Sequence, residues 1–351
     1  MAKRIVIMAG GTGGHVFPAL AVAEALLEKG WEVSWLGTQS GLEARVVPEH
    51  GIAIDWLAVA GVRGKGVLSK LTAVFKLIKA CRQAASLLKK RKPDVVLGMG
   101  GFVAGPGGLM AKVLGIPLII HEQNRVPGTT NRWLARLANQ VLEAFPDSFD
   151  KKRQAICTGN PLRKKFLLAP EAKQDKTEQN LKILIVGGSQ GAQRLNEIVP
   201  EAMALLRGVQ VIHQTGSAMQ EQVAARYRKL GVNAEAKDFI QDMALAYQWA
   251  DLAICRAGAM TVSELAAVGC PAVLVPLPWA IDDHQVANAH YLSDAGAGVI
   301  LRQNDLTPES LAAEITRVRG QLATMAVAAK QCARLDATET VANYCIAEAN
   351  R

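Results

Sequence analysis

The sequence predicts an α/β protein made of two Rossmann-like, doubly wound parallel-sheet domains. Three observations carry that reading. Apolar runs of strand length alternate with segments of helical periodicity, glycine-rich turns follow several of the strands, and a strand–glycine–helix start near residue 10 recurs near residue 187. The length of 351 residues also suits two domains, at about 150 residues each.

Ile5-Val6-Ile7-Met8 reads as a buried strand and Gly10-Gly11-Thr12-Gly13-Gly14 as its turn. Leu20, Ala23, Leu26 and Leu27 then recur at helical spacing until Gly30, and Pro18 predicts the helix start because a first helical residue can dispense with its N–H. The same grammar returns at strand Val95-Val96-Leu97, a turn from Gly98 to Gly108, a helix over Leu109 to Leu114 and a stop at Gly115-Ile116-Pro117. Strand Leu118 to Ile120 follows, ending in a polar turn His121-Glu122-Gln123-Asn124. From Ala169 to Asn180 apolar side chains almost vanish, which marks a linker. Beyond it, strand Ile183 to Val186 opens the turn Gly187-Gly188-Ser189-Gln190-Gly191. Strand Ala253-Ile254-Cys255 leads through Arg256-Ala257-Gly258 to a helix ended by Gly269 and Pro271. Ligands of such folds bind at the carboxyl ends of the strands, here also in a central cleft between the domains.

Composition narrows the function. Half of the residues (50%) are apolar, enough for large cores, and the six cysteines (81, 157, 255, 270, 332 and 345) show no CxxC or zinc-like spacing. That argues against a disulfide framework or structural metal and suits a reducing compartment. Ile5 to Ala9 is too short for a signal peptide, and the uncharged stretches Val95 to Ala111 and Leu265 to Ile281 are broken by Gly and Pro. The expectation is a cytosolic protein whose membrane contact is peripheral. Of a net charge of +9, most sits in residues 1–150, with 18 basic and 11 acidic groups. No acid lies between Asp55 and Asp94, where ten Lys and Arg residues stand. Such a surface attracts phosphate on a lipid, nucleic acid or nucleotide. Aromatic content of 5%, without a zinc-finger or RNP pattern, makes nucleic acid the weakest of the three.

A glycine turn between strand and helix lets the backbone approach a ligand, and the helix N-terminus favours an anion, so three such turns predict a phosphorylated ligand. No G-x-x-x-x-G-K-[ST] is present, and Gly11-Thr12-Gly13-Gly14-His15-Val16 breaks G-x-G-x-x-G at its last position. The strand Val33 to Leu36 ends in Gly37-Thr38 rather than the acid that would hold an NAD ribose. A kinase or a dehydrogenase is thereby disfavoured. Thr261 to Glu264 matches T-x-x-E, so spacing alone predicts that Glu264 caps its own helix; the functional alternative is a carboxylate that holds ribose hydroxyls.

Several segments in one order resemble a known family: Gly10 to Pro18, Gly100-Gly101-Phe102-Val103 with Gly105-Pro106-Gly107-Gly108, His121 to Asn124, Gly159-Asn160-Pro161-Leu162-Arg163, Gly187 to Ala192, and Ala259 to Glu264 with Asp283-His284-Gln285 and Asn288. The chain resembles the bacterial undecaprenyl-diphospho-muramoylpentapeptide β-N-acetylglucosaminyltransferases over nearly its whole length. The resemblance implies the GT-B architecture, with an acceptor domain over 1–162 and a UDP-GlcNAc domain over 163–337. A C-terminal helix, about 338–351, is a candidate to pack back on the first. It also implies inverting transfer of GlcNAc from UDP-GlcNAc to the C4 hydroxyl of undecaprenyl-diphospho-MurNAc-pentapeptide, lipid I, giving lipid II for peptidoglycan synthesis. No metal or other cofactor is implied, since helix N-termini and backbone N–H groups take the charge of departing UDP.

Carried over by motif, the implied donor-binding set is Thr12, Gly13, Gly14, Asn124, Arg163, Ser189, Ile240, Ala259, Met260, Thr261, Val262, Ser263, Glu264 and Gln285. In it Ile240 offers its backbone to uracil and Glu264 holds the ribose. Ser189 and Arg163 face the diphosphate, and Asn124 and Gln285 face the sugar. Two residues compete as the base that takes the acceptor proton. His15 is a neutral imidazole beside a helix N-terminus, and Glu122 is a carboxylate at a strand end.

Val67, Leu68, Leu71, Val74, Phe75 and Ile78 recur every three or four residues, flanked by Lys70, Lys76, Lys79 and Arg82. Alone, this stripe reads as a core-facing helix with a solvated face. With a membrane-borne acceptor it becomes a contact with anionic lipid, at the cytoplasmic face of the plasma membrane. The expected partners are UDP-GlcNAc, the lipid-linked muramoyl-pentapeptide and anionic lipid, and not nucleic acid. Competing readings are a UDP-GlcNAc 2-epimerase, a transferase with a soluble acceptor, and a non-enzymatic nucleotide-binding module.

Overall fold

A computed structural model describes residues 2–59, 67–167, 180–187, 193–278 and 283–351, with the side chains of 67–74 outside that description. The chain divides into two compact units, one of residues 1–163 with 334–351 and one of residues 164–333.

The first unit runs β1 (Arg4–Ala9), α1 (Gly13–Glu28), β2 (Glu32–Gly37), α2 (Glu43–Glu49), β3 (Ala53–Trp56), α3 (Val67–Arg91), β4 (Val95–Gly100), α4 (Ala104–Val113), β5 (Leu118–Glu122), α5 (Thr129–Leu134), β6 (Gln140–Glu143) and β7 (Ile156–Cys157). Its strands form one parallel sheet in the order β3-β2-β1-β4-β5-β6-β7. The order reverses between β1 and β4, so the loops after these two strands flank the crevice where doubly wound sheets hold ligands. Ile5, Ile7, Val95 and Leu97 point to one apolar layer, and Val6, Met8, Val96 and Ile120 to the other. This is the two-sided burial that central parallel strands require.

The second unit runs α6 (Lys164–Leu167), β8 (Leu181–Val186), α7 (Gln193–Ala204), β9 (Val209–Gln214), α8 (Gln220–Leu230), β10 (Ala234–Lys237), α9 (Met243–Trp249), β11 (Leu252–Cys255), α10 (Ala259–Val268), β12 (Ala272–Leu274), α11 (His284–Ser293), β13 (Gly298–Ile300), α12 (Pro308–Arg319) and α13 (Leu322–Gln331). Its parallel sheet has the order β10-β9-β8-β11-β12-β13, with the reversal between β8 and β11. The last helix, α14 (Ala337–Ala349), belongs to the first unit, where Val341, Ala342 and Cys345 are buried against the α1 side of the sheet.

Three elements differ from the sequence reading, and one is α4, which begins at Ala104, inside the turn expected from Gly98 to Gly108. Helix α1 begins at Gly13, five residues before Pro18, so the proline lies inside it. The hydrogen bond it cannot make would have gone to the carbonyl of Gly14, in the first turn. The turn expected at His121-Glu122 is instead the end of β5, with both side chains buried and hydrogen-bonded to Gly159, Asn124 and Gly128. Polar composition alone pointed to a loop there, because it does not show that Gly159 meets His121 or that the following loop folds back on Glu122.

Candidate active site

The first two glycine turns pack against each other, and His15 fills the space beside them. A Cβ on Gly101 would run into the carbonyl of Gly10, and one on Gly100 would lie 2.8 Å from the ring of His15. Both have positive φ, +103° at Gly100 and +80° at Gly101, so at Gly100 backbone conformation and ring contact require the same residue. His15 Nδ1 is also 2.7 Å from Gln123 Oε1. Thr12 is the N-cap of α1, and its carbonyl accepts from the N–H groups of His15 and Val16. Arg163 lies with its guanidinium 5.1 Å over the ring of Phe17, one turn along the same helix.

Buried carboxylates shape this surface from below. Glu43, wholly buried, accepts from Gly11 N–H at 2.9 Å and from the N–H and hydroxyl of Thr38 at 2.8 and 2.7 Å. Side chains at Gly10 or Gly37 would collide with it, at 2.6 and 2.8 Å. The first turn therefore gives one of its N–H groups to an internal carboxylate and not to an external phosphate. The second turn serves the His15 ring, and Gly107 and Gly108 of α4 allow close approach of Met8 and Leu134. Phosphate binding was the sequence reading of these glycines; packing accounts for most of them.

Glu122 is 1% exposed and accepts four hydrogen bonds: Asn124 N–H at 2.9 Å, Asn124 Nδ2 at 3.2 Å, Gly128 N–H at 3.1 Å and Asn131 Nδ2 at 2.9 Å. Its lone pairs are spent on the loop that presents Asn124, which is a positioning role. Of the two candidate bases, His15 is the half-buried one. His121, fully buried, is pushed down to about 4 by desolvation and is neutral.

In the second unit, α10 begins at the end of β11 with Gly258 as N-cap and no side-chain cap. The capping box expected at Thr261 and Glu264 is therefore absent. The helix starts two residues before Thr261, because Gly258 with extended backbone already ends the preceding loop. Met260, Thr261, Ser263 and Glu264 are half-buried, whereas Ala259 and Val262 face the core at 6% and 0% exposure. Val262 can thus meet a ligand only through its backbone. Helix α11 is tied to this turn by Asn288 Nδ2, which donates to the Ala257 carbonyl at 3.2 Å, and Gln285 Oε1 accepts from Leu277 N–H at 2.9 Å. Ile240 is buried and donates its N–H to Gln214 Oε1 at 2.9 Å, so its carbonyl is the better group for a uracil N–H. Ser189 lies outside the described residues.

In α3 the residues packed on the core are Ala80, Ala84 and Leu88. Phe75 is 72% exposed, Leu77 52% and Ile78 45%, with Lys76, Lys79 and Arg82 exposed among them. The side chains of Val67, Leu68, Lys70, Leu71 and Val74 lie outside the described ones. Among the described residues no helix is long and apolar enough to cross a membrane, and no three His, Cys, Asp or Glu side chains cluster as a metal site.

Glu43, Gln123, Asn131, Asn160 and Gln214 are the site-forming residues to which sequence reasoning gave no role. Gln123 lay within a quoted motif, and Glu43 follows Gly37-Thr38 by a few residues, where an acid had been sought.

Two doubly wound sheets, each bringing a helix N-terminus to its switch point, define a protein of the two-Rossmann-domain type. The glycosyltransferase family 28 N-terminal domain matches residues 5–143, and the family 28 C-terminal domain matches 182–342. The chain is 59% identical, over 99% of both lengths, to the UDP-N-acetylglucosamine–N-acetylmuramyl-(pentapeptide) pyrophosphoryl-undecaprenol N-acetylglucosamine transferase of Methylococcus capsulatus. It is 50% identical to the transferase of the same name from Shewanella denitrificans, over 98% of this chain and 97% of the relative. The crystal structure of Acinetobacter baumannii MurG matches with a TM-score of 0.85 at 44% identity, covering 98% of this chain and 99% of that one. The chain belongs to glycosyltransferase family 28, in the branch of these N-acetylglucosaminyltransferases.

Proposed function

We propose that this protein transfers N-acetylglucosamine from UDP-GlcNAc to the C4 hydroxyl of undecaprenyl-diphospho-MurNAc-pentapeptide, with His15 as general base. The observation that carries the reading of the base is the His15 imidazole, held between Gly100 and Gln123 at the switch point of the first sheet. Nε2 takes the proton of the acceptor hydroxyl. The oxygen forms a bond to the anomeric carbon on the face opposite UDP, the bond from that carbon to the diphosphate oxygen breaks, and configuration inverts. The second unit holds the donor: Glu264 accepts from the ribose hydroxyls, Gln285 donates to the sugar, and the Ile240 carbonyl accepts from uracil. The N-terminus of α10 favours the negative charge that develops on UDP. Thr12, Gly13, Gly14, Asn124 and Arg163 complete the substrate contacts from the first unit.

The outward-facing Phe75, Leu77 and Ile78, interleaved with Lys76, Lys79 and Arg82, support a peripheral contact with anionic lipid at the cytoplasmic membrane face. Helix α4, packed on α3, adds exposed Leu109 and Val113. Reversing the charge of Lys70, Lys76 and Lys79 is expected to cut retention on phosphatidylglycerol vesicles, and undiminished retention would remove this contact.

The test of the reaction follows labelled GlcNAc from UDP-GlcNAc to a lipid-linked muramoyl-pentapeptide in detergent with EDTA, with UDP release measured in parallel. Stoichiometric transfer and UDP release are expected. Donor binding without transfer would require a different acceptor or reaction, and epimerisation would be assayed next.

A further inference from the structure

Gln123 stands between two histidines and binds each through a different end of its amide. Its Nε2 is 3.1 Å from His121 Nδ1 and donates to the His121 backbone carbonyl at 3.0 Å, while Oε1 faces His15 Nδ1 at 2.7 Å. On the far side of His121, Nε2 lies 2.9 Å from the carbonyl of Gly159.

Each proton in this chain is determined by the group beyond it. The Gly159 carbonyl can only accept, so His121 carries its proton on Nε2. Burial keeps that ring neutral, so its Nδ1 is a bare acceptor. Gln123 must then present its NH₂ to Nδ1 and to the His121 carbonyl, because the reversed amide would set an oxygen against two acceptors. That orientation turns Oε1 toward His15, and a carbonyl oxygen requires N–H there. Gln123 is itself wholly buried, and Asn160 Nδ2 donates to its backbone carbonyl at 3.1 Å.

We infer that Gln123 is a positioning residue that holds neutral His15 as the Nδ1–H tautomer, so that the lone pair used in transfer is on Nε2, and that His121 and the Gly159 carbonyl set the direction of the Gln123 amide. This rests on the reading of His15 as the base. When Nε2 takes the acceptor proton, Nδ1–H stays where it was, and Gln123 remains a neutral acceptor. No second proton moves.

The tautomer is read directly by two-bond ¹H–¹⁵N correlation in protein labelled with ¹⁵N-histidine, before any variant is made. His15 is expected to show the Nδ1–H pattern at neutral pH; an Nε2–H pattern would overturn the inference. In Gln123→Met, similar in size but without the amide, the His15 signals are expected to average between tautomers. The kcat falls about 10²-fold, the lower end of what a general base supplies, with KM for UDP-GlcNAc unchanged. A Met variant with wild-type tautomer and kcat would overturn the role of Gln123. An Nδ1–H ring in an enzyme whose His15→Ala variant transfers at the wild-type rate would instead overturn the reading of His15 as base, while the tautomer assignment stood.

Discussion

The two domains share a topology but organise the carboxyl ends of their strands with different chemistry. In the first, buried carboxylates hold the loops: Glu43 after β2, Glu122 at the end of β5, and Glu143 at the end of β6, which accepts from Asp147 and Phe149 N–H at 3.0 and 3.1 Å. In the second, amides do so: Gln214 holds the Ile240 N–H, Asn196 the Thr215 carbonyl and Asn288 the Ala257 carbonyl. A carboxylate binds two to four N–H groups more strongly than an amide can, which suits a rigid platform for an imidazole. It would also oppose a diphosphate above it, and the proposed donor domain uses neutral groups there. The same fold can thus be furnished for a base or for an anion by changing which side chain ties its loops.

The largest expected effect follows from that difference. Glu122→Ala leaves the N–H groups of Asn124 and Gly128 and the Asn131 amide without their buried acceptor, and should destabilise the first domain by about 3–5 kcal/mol in urea unfolding. Asn288→Ala should cost the second domain only about 1–2 kcal/mol, and equal losses would erase the distinction. Acid comes next. Unfolded histidine binds a proton below about 6.5, whereas His121 in the fold resists down to about 4, so between these values the unfolded chain holds more protons. Stability of the first domain is therefore full above pH 6.5 and declines as pH falls toward 4, by up to about 3 kcal/mol from this group. In the second domain, His213, pushed down to about 3 by burial, acts with the same sign. His213→Phe should flatten that domain's slope below pH 6.5, which unfolding midpoints across pH would show.

Smaller effects probe the sites themselves. Gly100→Ala should displace the His15 ring and lower kcat by about 10²-fold or less, with donor affinity preserved in calorimetry. Glu264→Gln should weaken UDP-GlcNAc binding by about tenfold, the effect of one charge-assisted hydrogen bond, without lowering the melting temperature. Thr261→Ala should change stability by less than about 0.5 kcal/mol, because Gly258 is the N-cap; a loss of about 1 kcal/mol or more would restore the capping box.

Periodicity and glycine punctuation made the sheets legible, because strand and helix repeats are local. Ile5 to Met8 and Ala253 to Cys255 could be placed for that reason, and Gly269, at φ +75°, ends α10 as its position suggested. What stayed hidden depends on partners that no local sequence pattern names. His121 and Glu122 look like loop residues until Gly159, Gly128 and Asn131 are beside them. Thr261-x-x-Glu264 satisfies a local pattern, yet the helix begins earlier, where the strand delivers Gly258. Similarly, the Val67 to Ile78 stripe has the spacing of a core-facing helix, but the core is met by Ala80, Ala84 and Leu88, leaving Phe75 and Ile78 outward. Small residues give too weak an apolar signal to compete with Phe and Ile in a sequence pattern. The motifs marked the candidate site; the contacts that join them, such as His15 to Gln123 and Gly11 to Glu43, are not local and became visible only in the fold.

The central claim is a division of labour, with a base in the first domain and donor binding in the second. It is tested most directly by measuring UDP-GlcNAc affinity and transfer turnover on the same preparation of His15→Ala. The account predicts unchanged donor affinity and turnover reduced by about 10²-fold or more. Lost donor affinity, with transfer per bound donor unchanged, would contradict it and make His15 a binding residue.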